Sequence, residues 1–137
     1  MKHPSFLIAV TALLALAAAL MLAGCGVGSG GPESQISETT DTYLRSLSSG
    51  DATKACAQLT DEAQKKLGTS CVAGMERIAA AVGRDRLTEA ADKGSSISVD
   101  GSTGSATLDG LNDARIGLIK SGSNWLIKSG YELEGAS

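Results

Sequence analysis

Ser95-Ser96-Ile97-Ser98-Val99-Asp100-Gly101, Ala106-Thr107-Leu108-Asp109-Gly110, Ile116-Gly117-Leu118-Ile119 and Ser121-Gly122-Ser123-Asn124-Trp125-Leu126-Ile127-Lys128 are four short runs separated by turn residues. In each run an apolar residue recurs at every second position: Ile97 and Val99, Ala106 and Leu108, Ile116 and Leu118, Trp125 and Ile127. A period of two places those side chains on one face of a strand. Asp100-Gly101, Asp109-Gly110 and Ser121-Gly122-Ser123-Asn124 supply turn chemistry between the runs. Residues 95–133 therefore read as an antiparallel meander of four or slightly more strands, with Tyr131 to Leu133 extending the last.

Upstream the period changes. Ile36, Tyr43, Leu44 and Leu47 share one helical face, with Pro32 near the start and Gly50 as the stop. Asp51 can cap a shorter helix carrying Ala52, Ala55, Cys56 and Leu59 at the i, i+3, i+4, i+7 spacing. Thr60 opens another turn, with Asp61 and Glu62 near its positive end and Gly68 after Leu67. Ser70 caps a helix bearing Cys71, Met75, Ile78, Ala79 and Val82, which Gly83 ends. Leu87, Ala90 and Ala91 are spaced for one more helix over residues 84–93, stopped by Gly94. Helices over about 33–93 followed by a meander with one apolar face define an α+β class, N-terminal helices packed on a curved antiparallel sheet.

The N-terminus belongs to a different kind of segment. Lys2, an apolar stretch from Phe6 to Leu22 and the small residues before Cys25 form the three parts of an export signal. An apolar run of roughly 17 residues could also just span a bilayer, but the ending Leu22-Ala23-Gly24-Cys25 weighs against that alternative. It resembles the bacterial lipobox, which implies that Cys25 is lipidated and becomes the new N-terminus once residues 1–24 are cleaved. Dual acylation, at about 0.8 kcal/mol per buried methylene, holds a protein stably where one chain does not. The resemblance implies a lipid anchor on the cell membrane, palmitate among its acyl groups, and a domain facing away from the cytoplasm. Residues 25–32, rich in glycine, suit a tether; lacking a preceding strand, they do not make a dinucleotide loop.

Residues 33–137 are the size of one domain, able to bury about two thirds of its unfolded surface. The net charge of the whole chain is −3, and it falls further when Lys2 leaves with the signal. No basic block is present, which excludes nucleic acid as a partner, since phosphate binding needs clustered Lys or Arg. With Cys25 assigned to lipid, Cys56 and Cys71 remain as an even pair in an exported domain, and a disulfide is the natural reading. Its loop of about 15 residues would be worth about 3 kcal/mol of unfolded-state entropy. Redox work would more often use a Cys-x-x-Cys pair.

Thr42-Tyr43-Leu44-Arg45-Ser46-Leu47-Ser48-Ser49-Gly50-Asp51, Ala55-Cys56-Ala57-Gln58-Leu59-Thr60 and Ser123-Asn124-Trp125-Leu126-Ile127 together resemble small actinobacterial lipoproteins of the nuclear transport factor 2-like superfamily. That superfamily includes the SnoaL-like and ketosteroid-isomerase-like cones. The resemblance implies a bent sheet wrapped on helices with a pocket at its open end. It does not imply an activity, because members range from isomerases and cyclases to plain binders.

Chemistry has to come from the residues present. His3 is the sole histidine and leaves with the signal, removing the usual general base, the Ser-His-Asp and Cys-His arrangements and histidine-ligated metals. An isomerase or cyclase without a cofactor would need a pocket carboxylate facing a tyrosine donor. Tyr43 with Asp100, Asp109 or Asp113 are the candidates, and those aspartates sit in turn sequences. The expectation is therefore a non-enzyme with no metal and no cofactor. Its pocket would involve Tyr43, Leu47, Trp125 and Ile127, of which Tyr43 and Trp125 join an apolar body to a polar tip. Aromatic residues make up only 3% of the chain, so a pocket lined by Leu, Ile, Val and Ala favours a small apolar ligand over a sugar. An envelope protein bound at the surface is the other expected partner, and a catalytic cone is the rival to both.

Overall fold

A helix bounded by an N-terminal proline and a C-terminal glycine organises the rest of the molecule. The computed structural model of the chain describes residues 30–134; the signal segment 1–24, Cys25 and most of the tether lie outside them. α1 (Pro32–Ser49) begins at Pro32 itself, which was read as the last residue of the tether. At the first helical position its fixed φ and missing N–H cost nothing. Gly50, at φ 82°, closes the helix, and the N–H groups of Gly50 and Asp51 bond back to Leu47 and Ser46.

Side-chain caps then start three helices where the sequence placed them. The Asp51 carboxylate accepts from Lys54 N–H at 3.0 Å and opens α2 (Ala52–Ala57). Thr60 Oγ1 accepts from Ala63 N–H at 3.2 Å and opens α3 (Asp61–Lys66). Ser70 Oγ accepts from Ala73 N–H at 3.2 Å and opens α4 (Cys71–Val82). Each satisfies a donor that the first turn would otherwise leave orphaned. α5 (Arg84–Lys93) follows directly, as the spacing of Leu87, Ala90 and Ala91 indicated.

β1 (Ser95–Asp100), β2 (Thr103–Leu108), β3 (Ala114–Ser121) and β4 (Asn124–Ser129) form one antiparallel sheet in sequence order, and it does not close. The register aligns Ile97 with Ala106 and Ile116, and Val99 with Gly104, Leu118 and Ile127. One apolar face thus runs across all four strands. Between Gly117 and Leu118 the pairing with β4 shifts by one residue. On the near side of that irregularity Ile127 and Trp125 pair with Leu118 and Lys120, which the period of two in β3 places on the same face as Ile116.

The apolar face is covered by α1, while α5, α2 and α4 pack against α1 in turn. Ile36, Tyr43, Leu44 and Leu47 of α1 are all buried in one core with Leu108, Ile116, Leu118, Trp125 and Ile127. Gly104 makes the close approach possible: a Cβ there would overlap Ile36 Cδ1. The class is α+β, five helices on a four-stranded antiparallel sheet.

Two segments differ from the reading of the sequence. Leu59 shares the spacing of α2 but is not in it: α2 ends at Ala57, and residues 58–60 run beside the outer edge of β4. Thr60 N–H donates to Ile127 O at 2.9 Å and Ile127 N–H to Gln58 O at 2.8 Å. An unpaired edge is a liability, and this short parallel bridge occupies part of it. Tyr131 to Leu133 do not extend β4, which ends at Ser129. Gly130 turns the chain at φ 73°, and Leu133 N–H bonds back to Gly130 O at 3.1 Å. The alternation of Tyr131 and Leu133 was a sign of burial, which both have, and not of a strand.

Candidate functional site

Burial decides where the four nominated pocket residues stand. Tyr43, Leu47, Trp125 and Ile127 are each at most 2% exposed and belong to the core. Tyr43 is fixed further by its hydroxyl, which donates to the backbone carbonyl of Tyr131 at 2.5 Å. Burial, reinforced by Glu132 and Tyr131, pushes its ionisation well above the ordinary tyrosine value. Asp100, Asp109 and Asp113 are exposed. The Tyr43 hydroxyl is thus buried on a backbone carbonyl, while the three aspartates that could face a tyrosine donor across a pocket lie at the exposed surface.

Trp125 joins the same core from β4. Its carbonyl accepts from Thr39 Oγ1 at 3.2 Å, whereas its indole Nε1–H is buried without a partner. Burial of the ring is favourable and burial of the unpaired donor is not.

Leu47 also borders a cleft. This hollow of about 430 Å³ lies where α1, α2, α4 and the start of α5 meet. Leu47 and Met75, both almost fully buried, floor it; Ala52 and Ala79, with single methyl side chains, leave its walls wide. Glu76 and Arg84 stand at the rim. Arg84 lies over Gly50, its Nη2 3.2 Å from the place a Cβ would occupy, and makes no ion pair among the described residues. The volume lies in the range of small-molecule clefts, about 300–1,000 Å³.

The disulfide holds one side of this cleft. Cys56 on α2 and Cys71 at the first position of α4 are bonded, with Cα atoms 6.1 Å apart. It clips together the two helices that carry Ala52 and Met75. Below the clip, Gln64 Nε2 donates to Cys56 O at 2.9 Å and ties α3 to the end of α2.

Met75, Ala79 and Arg84 were legible as helix residues but not as cleft residues. Spacing identifies the buried face of a helix, and it does not distinguish a core contact from a floor open to solvent. The small size of Ala52, Gly50 and Ala79 was the available signal, and it acquires meaning only once these residues face one another. Among the described residues no group of three or more His, Cys, Asp or Glu is placed to hold a metal ion. No helix among them is long and apolar enough to cross a membrane.

Compared with known proteins, the chain matches no family model, no curated protein and no solved structure.

Proposed function

We propose that this protein is a lipoprotein of the cell envelope, anchored through Cys25 on the extracytoplasmic face of the membrane, that binds a small apolar ligand without transforming it. The fold would be a variant of the nuclear transport factor 2-like cone, with α1 seated on the open sheet. The observation that carries the reading is the cleft floored by Leu47 and Met75 and clipped by Cys56–Cys71. An apolar floor beneath a rim that carries Glu76 and Arg84 suits a ligand whose apolar body is held by burial, at roughly 25 cal/mol for each Å² of apolar surface covered. Tyr43, the donor an isomerase would use, already serves Tyr131.

Native mass spectrometry of the protein after exposure to an envelope extract tests this. The expected result is a discrete small-molecule adduct that Ala80→Phe, at the cleft wall, abolishes. A protein adduct unaffected by that substitution would replace the ligand reading with a docking one.

A further inference from the structure

We propose that the free edge of β1 is a dimerisation seam, on which β1 of a second copy of this chain pairs antiparallel about a two-fold axis at Ser98. The sheet has two edges, and the molecule treats them differently. Residues 58–60 run along the β4 edge and hold it through Thr60 N–H to Ile127 O and Ile127 N–H to Gln58 O. No such cover reaches the other edge: among the described residues, the main-chain hydrogen bonds of residues 95–100 go to β2 alone.

The core is unfinished at that edge. Ala106, Leu108, Ile116, Leu118, Trp125 and Ile127, inward residues of the other three strands, are buried, whereas Ile97 and Val99 of β1 are only partly so. β1 packs mainly on β2 and α1, and the exposure that both side chains keep is what a further strand would remove. The edge also lacks the devices that keep free strands apart. Ser95-Ser96-Ile97-Ser98-Val99-Asp100 holds no Lys and no Pro, and its register with β2 runs without a bulge.

The order of residues along β1 selects the partner and the register. Residues directly opposite one another in an antiparallel pair share a face, so a two-fold axis normal to the sheet passes through one residue and its own copy. At Ser98 that axis sets Ile97 against Val99 of the second copy and Val99 against its Ile97, so each copy completes the other's core edge. On the outward face Ser96, an exposed hydroxyl donor, falls opposite Asp100 of the second copy, an exposed carboxylate that can accept from it. The two Asp100 carboxylates stay apart. An axis at Ile97 would instead put Val99 against Ser95, and an axis at Val99 would put Ile97 against Gly101. An unrelated strand would match the main chain alone.

The test follows the full chain in detergent by sedimentation and by oxidation of introduced cysteines. Sedimentation should show a dimer that dissociates on dilution. Ser98→Cys should oxidise to a covalent dimer, because residues opposite on the axis have Cβ atoms about 5 Å apart, a separation that a disulfide can close. Ser105→Cys, opposite Ser98 on β2, should not, since three strand spacings put it about 14 Å from its copy, beyond the reach of about 7 Å. Ser96→Asp should weaken the dimer about tenfold by setting like charges opposite at two symmetric places, and Ser96→Lys should tighten it by a similar factor. Ser96 is exposed, so the unfolding midpoint of the dilute monomer should stay at the parent value in both. A monomer throughout the dilution series, a Ser98→Cys chain that cross-links no better than Ser105→Cys, or equal dissociation constants for the two Ser96 variants would each overturn the assignment.

Discussion

The hydroxyl of Tyr43 donates to the backbone carbonyl of Tyr131 across 88 residues of sequence, at 2.5 Å. This bond ties the middle of α1 to the turn that follows β4, and so joins the first and last described elements of the domain. Tyr43→Phe keeps the ring and strands the carbonyl. It should cost about 1–3 kcal/mol, the penalty for an unsatisfied buried acceptor, read as a lower midpoint in urea. A midpoint unchanged from the parent would mean that the carbonyl finds another partner.

The same hydroxyl makes stability depend on alkaline pH. The ionisation of folded Tyr43 is raised by burial first, then by Glu132 and Tyr131. The unfolded tyrosine ionises near 10.0 and releases its proton first, so the unfolded state binds fewer protons above that pH. The contribution is fully present below pH 10 and is lost progressively above it, by up to about 1.4 kcal/mol per pH unit. Tyr131 is raised in the same direction and adds to the slope. Stability measured from pH 9 to 11 should fall less steeply in Tyr43→Phe than in the parent; parallel curves would refute the assignment to Tyr43.

Cys56→Ser with Cys71→Ser removes a link that spans 15 positions and joins α2 to α4. The unfolded chain then regains loop entropy worth about 3 kcal/mol. Thermal unfolding should shift to lower temperature by several degrees, and reductant should reproduce the shift in the parent protein alone. Since the two helices flank the cleft, any ligand captured there should also dissociate faster.

Gly104 and Ile36 should be energetically coupled. A Cβ at Gly104 would meet Ile36 Cδ1, so Gly104→Ala overpacks the contact between α1 and the sheet at a cost of about 1–3 kcal/mol. Ile36→Val deletes the methyl in the way and by itself costs about 0.5–1.5 kcal/mol. The double variant should be more stable than the sum of the two losses allows. Strict additivity in a denaturation cycle would place the strain elsewhere.

Cys25→Ala should release the protein from membranes, because it removes the acceptor for both acyl chains expected on the mature N-terminus. Fractionation checks this, and undiminished membrane retention with the signal cleaved would exclude the lipid anchor.

Much of the secondary structure was legible because it is written over distances of three or four residues. Asp51, Thr60 and Ser70 each bond an N–H three positions on, Gly50 and Gly83 stop their helices locally, and alternation in residues 95–128 gave four strands with their inward faces correct. Those features follow from backbone sterics and short-range hydrogen bonding, which neighbouring residues determine among themselves. Tertiary structure alone decided the rest. Leu59 left its helical pattern because the edge of β4 needed backbone partners. Tyr43 took Tyr131 as its acceptor, Thr40 was left with none, and Met75 came to floor a cleft. Each depends on which elements pack together and how closely, a choice settled by the whole core at once and carried by no single stretch of chain.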